Sequence, residues 1–158
     1  MKTKHSNQDT LVNPIPEGFN TVTPFLVVEG AEKFLEFLEE AFDGKTTFNM
    51  KSPNGQIMHA TSKIGDSQIM IADAMKGDAK KEMKAGQSML YLYVEDVDAT
   101  YKQALKAGGK SFREPVDEFY RDRAASITDQ WNNQWWISTH IEDVDKDELK
   151  RRAQKLNK

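Results

Sequence analysis

Few residues in this chain have chemistry to offer, and the most versatile are the histidines His59 and His140. A histidine titrates near neutrality, so either could move a proton or hold a polar group. His59 is the candidate general acid or base. Arg123 could fix an anionic group, and Thr61 and Ser138 bring hydroxyls. Phe25, Tyr91, Tyr93 and Trp136 bring ring faces on which a flat ligand could stack. Apolar walls with a few polar anchors are the usual make-up of small-molecule pockets. Each of these residues also has a plainer use. Met70, Met89 and Phe25 read as core filling, His59 as a packed residue bonded to a neighbouring strand, and Arg123 as the partner of Asp122 or Glu118. Metal chemistry has little to work with. The absence of cysteine removes thiolate sites, Cys nucleophiles and disulfides together. The alternative is a site from His59, His140 and an acid such as Asp73, but the two histidines lack any diagnostic ligand spacing.

What positions these side chains is an internal repeat. Phe25-Leu26-Val27-Val28-Glu29 matches Tyr91-Leu92-Tyr93-Val94-Glu95 at an offset of 66, and Gln68-Ile69-Met70-Ile71 matches Gln134-Trp135-Trp136-Ile137 at the same offset. Each copy reads as a strand, a helix, a Gly-Lys pair (44–45 and 109–110) and further strands. In the first copy these are a strand over 21–28, a helix over 31–42 and strands over 45–51, 56–64 and 67–73. The second copy gives a strand over 88–94, a helix over 97–107, and strands near 110–113, 122–128 and 134–140. Phe34, Leu35, Leu38, Ala41 and Phe42 form one apolar stripe at helical spacing. A unit this short buries only one face of its sheet, so the two copies must share a core, and such duplications leave a cleft between them.

Alternation along the strands sorts the side chains between core and cleft. A two-residue turn at Gly65-Asp66 pairs Ile64 with Ser67, Thr61 with Met70 and His59 with Ala72. Leu26, Val28, Met58, Ala60, Ile69 and Ile71 then face the helix, as do Leu90, Leu92, Val94, Trp135 and Ile137. The cleft receives Thr23, Phe25, Val27, His59, Thr61, Met89, Tyr91, Tyr93, Trp136, Ser138 and His140. The offset of 66 carries Ile57 onto Arg123, which assigns Arg123 to the cleft as well.

The chain has 158 residues, 38% of them hydrophobic, which suffices for a shared core. The segments read as a loose arm over 1–19, a first module over 20–73, a connection over 74–87, a second module over 88–144 and a basic helix over 145–158. Asp145 followed by Glu148 is a capping-box start for that last helix, and Lys150, Arg151, Arg152 and Lys155 suit its negative end. A net charge of −3 argues against a nucleic-acid partner. No run is long and apolar enough to span a bilayer, and Met1–Thr10 lacks the apolar core of a signal peptide. The expectation is a cytoplasmic protein without a membrane partner.

Several runs resemble the vicinal oxygen chelate superfamily (glyoxalase I, extradiol dioxygenases and bleomycin-resistance proteins), and its PhnB-like branch most closely. They are Thr23-Pro24-Phe25-Leu26-Val27-Val28, Met58-His59-Ala60, Ile64-Gly65-Asp66-Ser67, Tyr91-Leu92-Tyr93-Val94-Glu95-Asp96-Val97-Asp98, and the most specific, Trp135 to Val144. The resemblance spans about 15–144. It implies an α+β fold of two tandem βαβββ modules forming a U-shaped mixed sheet around a central cleft, in a homodimer. Relatives in the branch carry Gly-Asp-Arg-Tyr-Gly and Asp-Pro-Phe-Gly-His where this chain has Arg121-Asp122-Arg123-Ala124-Ala125 and Asp129-Gln130-Trp131-Asn132-Asn133. The family's metal-ligand positions fall here on Thr23, Met70, Met89 and Trp136, none of which supplies an imidazole or carboxylate. The resemblance therefore implies a metal-free small-molecule binder of the bleomycin-resistance kind, with no cofactor, holding an aromatic or planar ligand in the inter-module cleft. Its contacts would be Phe25, His59, Thr61, Tyr91, Tyr93, Arg123, Trp136, Ser138 and His140. The alternative is a glyoxalase- or dioxygenase-like enzyme with a non-standard site around His59. Some PhnB-like sequences are labelled methyltransferases, but no glycine-rich nucleotide loop is present to support that here. A purely interaction-based role would rest on the charged loop 76–84 and the basic tail.

Overall fold

A computed structural model describes residues 12–77 and 82–156. The first eleven residues of the arm and part of the 74–87 connection lie outside the described residues. The first module comprises β1 (Phe25–Val28), α1 (Ala31–Phe42), β2 (Lys45–Lys51), β3 (Ile57–Ile64) and β4 (Ser67–Asp73). The second comprises β5 (Met89–Tyr93), α2 (Val97–Lys106), β6 (Lys110–Asp117), β7 (Asp122–Thr128) and β8 (Gln134–His140), and α3 (Lys146–Leu156) follows it. This is an α+β fold of two tandem βαβββ modules. Each has its own four-stranded mixed sheet, in the order β1-β4-β3-β2 and β5-β8-β7-β6. In each, the first strand runs parallel to the last and the hairpins are antiparallel.

The helices join the halves. Helix α1 buries Phe34, Leu35, Phe37, Leu38, Ala41 and Phe42, and full burial of a Phe or Leu is worth about 1.5–3 kcal/mol. It packs on its own sheet and on α2, and one continuous core runs from Leu26 and Ile71 through α1 and α2 to Ile127, Trp135 and Ile137. Gln103 on α2 donates to the Glu40 carbonyl (2.9 Å) and to Asp43 (3.0 Å). From the β7–β8 loop, Trp131 donates its indole N–H to the Glu29 carbonyl (2.7 Å) and packs its ring edge-on against Phe34. Helix α3 starts at Asp145, whose carboxylate accepts from Glu148 N (2.8 Å). Among the described residues no helix is long and apolar enough to cross a membrane.

The two helices start by different means. The residue ahead of α1 is Gly30, which caps nothing itself. Asp73, arriving from the end of β4, accepts from Gly30 N (3.0 Å) and Ala31 N (2.8 Å) through Oδ1, and from Ile57 N (2.7 Å) through Oδ2. One carboxylate thus holds the helix start and β3 together, at the end of the helix dipole that favours an anion. In the second module Asp96 caps α2 locally through Ala99 N. Thr139 occupies the place of Asp73 there: its hydroxyl accepts from Val97 N (2.9 Å) and donates to the Val94 carbonyl (3.0 Å).

Three departures from simple alternation shape the sheets. In β3 a register shift against β2 leaves Met58 as an extra residue, since Met50 pairs with His59 and Lys51 with Ile57. Ile57 is therefore buried, and Met58, expected against the helix, is 43% exposed. In β6 the strand continues through Pro115 to Asp117, with a register irregularity there; a proline is tolerated because β6 is an edge strand. Finally, the repeat offset is not constant. Ala60 pairs with Ile71 and Ala125 with Ile137, so the offset is 65 between these strands (125 less 60) and 66 between the last strands (137 less 71). The β7–β8 connection is one residue longer than β3–β4, because Lys63 pairs with Gln68 but Thr128 with Gln134.

Candidate functional site

The chemically richest surface is the face of the second sheet turned away from the helices. Its centre is Asp122, only 3% exposed. Asp122 Oδ2 accepts from the Tyr91 hydroxyl (3.2 Å) and the Tyr93 hydroxyl (3.1 Å), and its Oδ1 lies 2.9 Å from His140 Nδ1. The other imidazole nitrogen, Nε2, lies 2.9 Å from Asp143 on the segment after β8. A carboxylate only accepts, so two carboxylates on one ring require both nitrogens to be protonated. His140 is accordingly held above its ordinary range, first by Asp122 and then by Asp143. Ser138 donates to the Tyr91 oxygen (2.6 Å). Burial, more than any partner, pushes the Tyr91 phenol well above the usual range and raises Tyr93 also, so both are neutral donors.

Strand pairing builds the aromatic surface beside this cluster. Tyr91 pairs with Trp136, and their rings lie parallel within 5° at 6.4 Å, while Tyr91 and Tyr93 approach to 5.2 Å. Arg113 on β6 sets its guanidinium 5.9 Å from the Trp136 ring and pairs with Glu118. Ser126 pairs across the hairpin with Trp136, and its hydroxyl is buried without a hydrogen-bond partner among the described residues.

Phe25, His59 and Thr61 lie on the corresponding face of the first sheet. The His59 ring stands 6.0 Å from both Phe25 and Phe48, and the Thr61 hydroxyl is 2.6 Å from that of Thr47. Phe48, Met50 and Met58 add exposed apolar area there. No strand of one sheet lies in contact with a strand of the other among the described residues. The candidates therefore form two walls, one per module. Two grooves of about 530 and 400 Å³ run along the connecting segment and Trp131, and touch none of the nine candidates.

Arg123 does not belong to either wall. It pairs with Thr139, on the helix side of β7 beside Ala125 and Ile127. Its guanidinium grips Asp98 of α2 (2.7 and 3.0 Å) and Asp117 (2.9 Å). The assignment to the cleft failed because the offset in β7 is 65, which shifts every side chain by one place and hence to the other face. The same slip hid Asp122, which takes the inward position and pairs with His140; the length of the β7–β8 connection was the signal that would have found it. Arg113 was missed because a strand ending near that residue left its cross-strand neighbours undefined.

The donor set at the positions onto which the resemblance carries the family's metal ligands does not suit a metal ion. Thr23, Met70, Met89 and Trp136 offer a hydroxyl, two thioethers and an indole. Among the described residues no group of three or more His, Asp or Glu is gathered to hold one. Asp73 is committed to three backbone N–H groups, and His59 and His140 lie on different sheets.

Two departures from the branch pattern sit in strained backbone. Arg121 has φ +79 and Asn132 φ +63, each where the resemblance implies a glycine. Arg121 is buried, and its guanidinium holds the carbonyls of Glu142 and Val144, which fixes the backbone on both sides of Asp143.

Residues 18–137 match the family model described as the Glyoxalase/Bleomycin resistance protein/Dioxygenase superfamily. The chain is 27% identical over 139 residues to the uncharacterized protein Mb0911c of Mycobacterium bovis, covering 81% of this chain and 88% of that protein. Among solved structures it resembles TioX from Micromonospora sp. ML1, with a TM-score of 0.63 and 15% identity over 80% of this chain and 100% of that one. It also resembles the PhnB protein from Bacillus cereus, with a TM-score of 0.57 and 18% identity over 76% of this chain and 99% of that one.

Proposed function

The chain belongs to the glyoxalase/bleomycin resistance protein/dioxygenase superfamily, and from that premise we propose that it is a small-molecule-binding protein that needs no metal. It holds an aromatic or planar ligand against the Tyr91–Trp136 wall. The observation that carries this reading is the wall itself: parallel rings of Tyr91 and Trp136, with Tyr91 and Tyr93 tied to a buried Asp122. Rigid aromatic surface backed by a fixed polar cluster binds flat molecules without paying a large ordering cost. The unsuitable donors at Thr23, Met70, Met89 and Trp136 support the absence of a metal requirement.

The wall is open in one chain, with Met89 69% and Tyr93 67% exposed. The proposed protein is a cytoplasmic homodimer in which a second copy covers it and turns an open face into a cleft. An enzymatic role for His59 has less support. Its ring stands against those of Phe25 and Phe48, whereas a general base is commonly oriented by a carboxylate. The test is thermal and fluorescence screening of EDTA-treated protein against planar aromatic compounds, with molar mass from light scattering. Binding by metal-stripped dimer, lost in Trp136→Ala, supports the reading. A stoichiometric metal whose removal abolishes binding refutes it.

A further inference from the structure

We infer that the ligand of the second-module wall is an aromatic acid, whose carboxylate displaces Asp143 from His140 Nε2 while its ring lies over the Tyr93–Tyr91 pair. This rests on the binding role proposed for that wall and names the chemical class it takes. The wall contains a buried acid, but its charge is directed inward. Both oxygens of Asp122 are engaged, Oδ2 by two phenols and Oδ1 by His140. The imidazolium is half-exposed, and its Nε2–H points to the fully exposed Asp143 rather than into the cluster.

The present occupant of that donor is replaceable. Asp143 is fully exposed, and its carboxylate pairs with His140; exposed ion pairs of this kind are weak. The backbone around it need not move, because Arg121 holds the carbonyls of Glu142 and Val144. Rotation of one side chain therefore uncovers a charged donor and leaves its surroundings intact. Reach fits as well. Tyr93 pairs with Ser138, and Tyr91 with Trp136. A residue step along a strand is about 3.3 Å, so Tyr93 stands two steps, about 7 Å, from the His140 position and Tyr91 two steps further, while the Tyr93 hydroxyl and His140 Nδ1 meet on the one Asp122 carboxylate. A carboxylate attached directly to a ring system spans that distance. A carboxylate is also the group that keeps both imidazole nitrogens protonated, as Asp143 does now.

The test uses the ¹⁵N-labelled full chain at pH 6.0 with two probes, 2-naphthoate and its neutral analogue 2-naphthamide, followed through backbone amides and the His140 Nε2 resonance. The expected result is naphthoate binding at least tenfold tighter than the amide, with its largest shifts at Tyr93 and His140. Asp143→Ala should tighten naphthoate several-fold and leave the amide unchanged, because an internal competitor is gone; His140→Gln should erase the difference between the probes. Equal affinities in the wild type, with both weakened by Tyr93→Leu, would overturn the acid inference while leaving the wall as a binding surface. Weaker naphthoate binding by Asp143→Ala would overturn it too. If neither probe perturbs Tyr91, Tyr93 or His140, the inference and the reading it rests on both fall.

Discussion

Replacing Asp73 by alanine tests how much of the first module's frame depends on one carboxylate. Three N–H groups lose their acceptor: Gly30, Ala31 and Ile57. Gly30 is exposed and regains water, but Ala31 and Ile57 are fully buried. A buried donor left unpaired costs about 1–3 kcal/mol, and losing a charged partner at a helix start adds to this, so we expect a loss of about 3 kcal/mol. For a chain of this size that corresponds to about 6–12 °C in melting temperature. Asp73→Asn retains the Oδ1 bonds but turns an amide N–H₂ toward Ile57 N–H, and should lose about half as much. The internal control is Thr139→Val at the equivalent place, where a neutral hydroxyl accepts from one N–H; about 1 kcal/mol is expected there. Urea unfolding of the three variants measures the series. A loss below about 1 kcal/mol for Asp73→Ala, or one no greater than for Thr139→Val, would refute the assignment of Asp73 as the shared anchor of α1 and β3.

Other outcomes follow from the same geometry. Asp122 first and then Asp143 hold the His140 imidazolium above the ordinary histidine range near 6.5, so its stabilising contribution is complete below that range and disappears as pH rises through the raised folded value. The His140 Cε1–H resonance should show a midpoint above 6.5, lowered more by Asp122→Asn than by Asp143→Asn; a wild-type midpoint at or below 6.5 would contradict the two-carboxylate arrangement. Arg123→Ala should leave naphthoate affinity within about twofold, because its guanidinium serves α2 and an exposed pair of this kind contributes little; a tenfold loss would place Arg123 on the wrong face. Arg121→Gly relieves a left-handed backbone conformation but releases the Glu142 and Val144 carbonyls. Global stability should therefore change little while amide exchange in α3 accelerates, and unchanged protection at Leu149 would speak against the clamp.

Much of the architecture was legible because two signals agreed. Residues Ala31 to Phe42 carry a helical stripe and sit between matching strands, so both the helix and its buried face follow from pattern. Trp135 and Ile137 alternate with Trp136 and Ser138, which places the last strand correctly. Legibility failed where the chain changes its count by one residue. Met58 is an extra residue in β3, and β7 sits at offset 65 rather than 66. Side-chain direction in a strand has period two, so a single-residue error is a complete inversion. This sent Arg123 to the wrong face and concealed Asp122, the acid that organises the second wall. Asp73 was hidden for a different reason: a cap supplied from 42 residues away leaves no local sequence mark.

The indole of Trp131 also bears on how the chain folds. Its bond to Glu29 closes a span of 102 residues, whereas among the described residues every sheet is built within one module. Contacts close in sequence form first, and the entropy of closing a long span is met last. The halves should therefore collapse separately and dock late, with Trp131 unformed at the rate-limiting barrier. Its replacement by alanine should then fall on the unfolding limb of a chevron plot, about 30-fold for a loss of 2 kcal/mol, and leave refolding nearly untouched. A refolding limb slowed by a similar factor would instead make the seam between modules the place where folding begins.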